Sequence, residues 1–337
     1  MINNPATILD IAKKLNLSKS TVSRALRDHP DISQKTKDAV RRVAKELNYM
    51  PNAIAASFRY KRSKIIGLIV PQISYFFFPS VIRGVEEIAH KNGYKLLILQ
   101  SNESYEREIA NLDILVANNV EGILASVSRT TKKFDHFERI INMGMPIVFF
   151  DRVVKGLKAS TVLVDDITAS FNAVNHLLER GRQRIAICTG NLNLLISNNR
   201  LQGYKMALLE HGLPVNEELV ISCESPEEAE EETIRLLSSP KPPDSIFAIS
   251  DLTMTGVMRG IHRKKMRVPE EIAVIGFCED PFRSMYEPPL SVIQPMGFEI
   301  GQKSAEILLE QIKNEPYSHN EPKVVYLEGN LVIGGST

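Results

Sequence analysis

Residues 7–26 read TILDIAKKLNLSKSTVSRAL, and this stretch decides how the chain begins to fold. Thr7 with Asp10 three positions on has the form of a capping box, where a carboxylate reaches back to the start of a helix. Ile8, Ile11, Ala12 and Leu15 follow at helical spacing and form one apolar stripe. Asn16-Leu17-Ser18 breaks the pattern as a short turn, with Ser18 placed to cap a second helix over Lys19–Arg27. On that helix Val22, Ala25 and Leu26 share one face. Ser20, Ser23, Arg24 and Arg27 project from the other, and Lys19 stands at the N-terminal tip. Ser33 caps a third helix, on which Val40, Val43, Ala44 and Leu47 repeat the stripe. Three short helices joined by tight turns bury one small core and leave the second helix exposed on one side. Such a helix fits the major groove of DNA.

Charge is distributed to match. Residues 1–64 hold 14 Lys and Arg against 5 Asp and Glu, a net of +9, while the whole chain nets only +1. The remaining 273 residues therefore carry −8, so a basic head is joined to an acidic body. With 337 residues, two or three folding units are expected. No apolar run approaches the roughly 18–20 residues of a membrane helix. Met1–Ala6 is polar and has no signal-peptide form. Cys188, Cys223 and Cys278 are an odd number at wide spacing, which suits reduced core thiols better than a disulfide or a metal site. The expectation is a cytoplasmic protein with no cofactor and no membrane association.

The stretch from Thr7 to Leu26 closely resembles the N-terminal motif of the lactose-repressor (LacI/GalR) family. So do Asp31-Ile32-Ser33, the run KELNY from Lys45 to Tyr49, and Pro51-Asn52. The resemblance implies that Lys19, Ser20 and Arg24 read bases, while Thr7, Ser18, Thr21, Ser23 and Asn52 contact or position the phosphate backbone. The chemistry agrees: Arg can fork onto guanine, and small hydroxyls at a helix N-terminus suit phosphates. Thr7 and Ser18 can equally serve as plain helix caps.

Asn52 to Arg59, NAIAASFR, is a helix-prone stretch too short to be stable alone in water. By the same resemblance it is a hinge helix that folds when two subunits pair over DNA. Ala55 and Phe58 then lie at the minor groove, with Phe58 as the wedge that kinks the central step. Phe58 stands where the family usually has Leu. The alternative is an ordinary linker with Phe58 docked on the body.

From Ile65 onward, apolar strand-like runs alternate with helical patterns, which predicts parallel doubly wound sheets. About 270 residues exceed one such sheet, so two lobes with a cleft between them are expected. The resemblance makes this a two-lobed α/β sensor of the periplasmic-binding-protein type. The chain thus divides into a helix-turn-helix head (1–50), a hinge and linker (51–64), and an effector-binding and dimerisation body (65–337). The first lobe is expected over about 65–160 and 291–322, and the second over about 161–290 and 323–337. The dimer face is expected on the first lobe, including a helix with Val81, Val85 and Ile88.

Ligands of such folds sit just past the C-terminal ends of strands. By the same resemblance the candidates are Tyr75, Phe76 and Phe77, then Asp151, Arg152 and Asp166, then Arg200, Asp251, Cys278 and Phe282. Carboxylates and Arg bind paired hydroxyls and aromatic faces cover C–H edges, so a sugar-like effector is implied. Cys278 and Ser250 depart from the residues usual in the family at their positions. An ion pair between lobes is the other reading of Asp151 and Arg152, and core packing that of the phenylalanines. No G-x-S-x-G, metal-ligand spacing or phosphate loop is present, so an enzyme is not expected. A free-standing sugar receptor would share the lobes but lack the basic head. The reading is a DNA-binding transcriptional regulator that pairs as a homodimer on a near-palindromic operator and answers to a small effector. The same fold could instead use a corepressor, activate transcription, or bind a non-sugar effector.

Overall fold

The computed structural model describes residues 6–49, 63–74, 76–153, 156–314 and 321–337. The chain divides into two compact units, Met1–Ser63 and Lys64–Thr337.

In the first unit, helices α1 (Ile8–Leu15), α2 (Lys19–Leu26) and α3 (Gln34–Glu46) close on Ile11, Val22, Ala25, Val40 and Val43. Local chemistry sets each boundary. Oδ2 of Asp10 accepts from the Thr7 amide at 2.8 Å and from its hydroxyl at 2.7 Å, which fixes the start of α1. Asn16 ends the helix in the left-handed region, φ 49°, where Asn is tolerated. Oγ of Ser18 accepts from Thr21 N at 3.0 Å, and Oγ of Ser33 from Thr36 N at 3.3 Å. Buried Lys37 donates its Nζ to the Asp28 carbonyl at 3.2 Å, tying the turn after α2 to α3.

The second unit holds two six-stranded sheets. The first contains β1 (Ile65–Val70), β2 (Lys95–Gln100), β3 (Ile123–Ala125), β4 (Ile147–Phe150), β5 (Ser160–Val164) and β11 (Val324–Leu327). All its pairings are parallel, in the order β11-β5-β4-β3-β1-β2. The second contains β6 (Ile185–Thr189), β7 (Val220–Ser222), β8 (Ser245–Ala248), β9 (Ala273–Phe277), β10 (Ser291–Gln294) and β12 (Asn330–Val332). Its order is β12-β10-β9-β8-β6-β7, and only the β10–β12 edge pair is antiparallel.

Three strands fall on the opposite side from the expected lobe boundaries. The segment 160–164 belongs to the first sheet, 291–294 to the second, and 324–327 to the first. A parallel neighbour usually requires a crossover of about a dozen residues or more, most often a helix. Only residues 151–159 separate β4 from β5, with no helix among those described, so their pairing was not legible. The chain passes between lobes at Asp165, at Pro295–Met296 and at Glu328–Gly329.

Val81, Val85 and Ile88 are not a surface for a partner. They lie on α4 (Phe77–Lys91) and are buried in this chain's own core, together with Ile300, Leu308 and Ile312 of α12 (Gly297–Lys313). The two helices approach closely because glycines face backbone: Gly301 lies on the Val81 carbonyl, and Gly84 on that of Phe298.

Candidate functional site

On the head, Lys19, Ser20 and Arg24 are exposed on α2, while Val22 and Ala25 hold its inner face. Ser18 is engaged as the cap of α2, and its Oγ also lies 2.8 Å from both Ser20 Oγ and Thr21 Oγ1. Thr7 is engaged with Asp10. These hydroxyls therefore fix the helix ends at the surface from which Lys19 and Arg24 project. Ser23 is partly buried on the same helix. Asn52, Ala55 and Phe58, and the hinge as a whole, lie outside the described residues, as does Tyr75.

In the body, a cavity of about 160 Å³ opens between the two lobes, lined by residues just past the C-terminal ends of strands in both sheets. Phe77, Asp151, Arg152, Arg200 and Asp251 are brought together on its wall. Arg200 projects from α8 (Leu195–Glu210) and is held on three sides. Its Nε donates to Asp166 Oδ1 at 2.7 Å, its Nη1 donates to the Ile249 carbonyl, and its guanidinium stacks 3.5 Å from the Phe277 ring centroid. Arg152 donates Nη1 to both oxygens of Glu103, at 2.8 and 2.9 Å. Arg129 of the first lobe donates Nη1 to the Glu224 carbonyl of the second at 3.0 Å, and Asn191 donates to Glu224 Oε1 at 2.9 Å.

The carboxylates feel their burial. Desolvation pushes Asp151 up to about 6, and Arg152 and Arg200 only partly oppose it. Asp251 rises to about 7, first through desolvation and then through repulsion by Glu279, while the amides of Phe77 and Phe76 pull the other way. Asp251 opens α10 (Asp251–Arg263) in the second lobe and faces the amides at the start of α4 in the first. Its Oδ2 is buried without a hydrogen-bond partner among the described residues. Desolvation also raises Asp166, against the pull of Arg200.

Four expected ligand contacts stand off the cavity wall. Cys278 is fully buried in the core of the second lobe, with its thiol pKa pushed up mainly by burial. Phe282 is part of that same core and packs against partly buried Phe76 at 5.8 Å between centroids. Asp166 lies behind Arg200 and orients it. Sequence reasoning missed Gln72, Glu103, Arg129, Asn191, Ser197 and Glu224, all on the wall. Gln72, Glu103, Arg129 and Asn191 also follow strand ends, which was the available signal. Glu224 opens the acidic run Glu224–Glu232, whose charge density has the form of a solvated surface helix.

Two family models match the chain. "Bacterial regulatory proteins, lacI family" covers residues 7–52, and "Periplasmic binding proteins and sugar binding domain of LacI family" covers residues 63–328. The HTH-type transcriptional repressor CytR of Escherichia coli is 32% identical over 334 residues, spanning 98% of this chain and 96% of that protein. The ribose operon repressor of Haemophilus influenzae is 32% identical over 310 residues, 92% of each. Among solved structures, a complex of the transcriptional regulator CelR with cellobiose superposes with a TM-score of 0.74 at 26% identity, covering 98% of this chain and 100% of that one. With its basic three-helix head, its two-sheet body and these matches over nearly its whole length, the chain belongs to the LacI family of bacterial regulatory proteins.

Proposed function

We propose that this protein is a transcriptional repressor of the cytoplasm that binds a near-palindromic operator as a homodimer, and that a small ligand between the lobes sets its grip on DNA. The observation that carries the reading is α2, whose inner face is locked into the head while Lys19, Ser20 and Arg24 stand exposed on one short helix. Thr7, Ser18, Thr21, Ser23 and Asn52 position the phosphate backbone around it, and paired hinges bring Ala55 and Phe58 to the minor groove. Two heads on one dimer read two half-sites, so weak single-head affinities multiply through effective concentration.

Asp151, Arg152, Arg200, Asp251 and Phe77 form the ligand wall, and a sugar or sugar derivative suits their hydrogen-bonding capacity. The complex of a similar regulator with cellobiose and the ribose operon repressor among the relatives support that class. Among the described residues no helix is long and apolar enough to cross a membrane. The test is selection of duplexes from a random pool by the purified chain at moderate salt. Enrichment of a two-fold-related site supports the reading, and binding that follows salt alone without sequence preference removes it.

A further inference from the structure

We propose that the interlobe cavity takes a neutral, hydroxyl-rich ligand and turns away its phosphorylated or carboxylated counterparts, because every described arginine on the wall is already engaged by an acidic residue. The inference rests on the reading of this cavity as the effector site, and it adds the charge of what enters.

Among the described residues the cations of the wall are Arg129, Arg152 and Arg200, and no described Lys or His lines it. Each has an anionic partner of its own. Arg200 is paired with Asp166 at 2.7 Å and Arg152 with Glu103 at 2.8 Å. Arg129 is held by the Glu224 carbonyl, with the Glu224 carboxylate 3.8 Å away. Beside these three stand Glu103 and Glu224 on the wall and Asp166 directly behind, together with Asp151 and Asp251, which burial leaves partly protonated near neutral pH and able to donate to a ligand oxygen. A site for phosphate needs the reverse: uncommitted guanidinium or ammonium donors, or free amides at a helix N-terminus. The N-terminus of α4 is the natural place for an anion here, and the Asp251 carboxylate of the opposite lobe already faces its amides at Phe76 and Phe77.

The same arrangement suits a polyol. Oδ2 of Asp251, on a side chain more than nine-tenths buried, lacks a donor among the described residues. A ligand hydroxyl supplies one without bringing charge. Asp166 balances the charge of Arg200, which a phosphate would need, while guanidinium N–H groups not used on Asp166 and Ile249 can still donate to a neutral ligand oxygen. Phe77 supplies an apolar face for the C–H edge of a ring. A cavity near 150 Å³ is known to admit a benzene-sized guest. At about 160 Å³ this one has room for a ring of that order.

The test is calorimetric titration of the full chain, without DNA, against matched pairs. The neutral probes are ribose, glucose, galactose, cellobiose and cytidine, and each is paired with its phosphate ester; gluconate and glucuronate serve as acidic sugars. At least one neutral probe is expected to bind, with its charged counterpart weaker by about tenfold or more. Equal or tighter binding of a phosphate ester or sugar acid overturns the proposal, and so does the failure of every neutral probe. Either result leaves the DNA-reading role to be judged separately by duplex selection. Glu224→Gln removes one negative charge at a half-exposed position and keeps an oxygen that can accept from Asn191. It is expected to narrow the gap between members of a pair, and an unchanged gap means the carboxylates do not set it.

Discussion

Nε of Arg200 donates to Oδ1 of Asp166 over 2.7 Å, and both side chains are more than nine-tenths buried between the lobes. The pair joins two helices of the second lobe, α7 (Asp166–Glu179) and α8, and presents the rest of the guanidinium to the cavity. Removing one member of such a pair strands a buried charge. Arg200→Ala is therefore expected to destabilise the body by about 3–5 kcal/mol and to abolish the ligand response. The double variant Arg200→Gln with Asp166→Asn restores most of the melting temperature but not the response. Full ligand sensitivity in the double variant places Arg200 outside binding.

Asp251 titrates at about 7 and Asp151 at about 6, against an ordinary value of 3.8. An acid whose pKa is raised by folding holds its proton more tightly in the folded state. Its penalty is absent below the unfolded value, grows as pH rises, and is complete above the folded pKa. Stability from these two groups therefore falls between about pH 4 and 7, by at most about 1.4 kcal/mol per unit for each. Melting temperatures of Asp251→Asn are expected to fall less over this window than those of the native chain. Identical slopes contradict the assignment.

Arg24 is exposed on α2 and is not a member of the head's apolar core, so Arg24→Ala is expected to leave the melting of the head unchanged. Loss of a forked contact to guanine costs about 1–3 kcal/mol of discrimination at one base pair. Competition assays with single-base variants of the selected duplex measure it. A uniform loss across all duplexes instead makes Arg24 a phosphate contact.

Gly301→Ala tests the packing of α4 on α12, since a Cβ there drives into the Val81 carbonyl. Backbone cannot swing aside as a side chain can, and overpacking of this kind costs about 1–3 kcal/mol. Chemical denaturation reads the change, and an unaltered midpoint shows that the helices part freely.

The head was legible nearly to the residue because its signals are local: the Thr7–Asp10 box, the Asn16 turn and the caps at Ser18 and Ser33 each act within a few residues. The alternation of strands and helices in the body was legible for the same reason. Lobe membership was not. Whether residues 160–164 return to the first sheet or open the second depends on pairing between distant strands, and the hydrophobic run looks the same either way. In the site, Asp151 stood out as a charge just past an apolar strand, whereas Cys278 and Phe282 followed a strand end yet turned into the core. Strand ends predict where a side chain emerges and not which way it points.

Coupling between the cavity and the head is tested most directly by a reciprocal titration. A ligand found by calorimetry is titrated into the native chain alone and into the chain saturated with its selected duplex, and the duplex is titrated with and without that ligand. The account predicts that the ligand changes duplex affinity and that the duplex changes ligand affinity by the same factor, since the two share one linkage free energy. Ligand binding of identical strength on the free and the DNA-bound protein contradicts it.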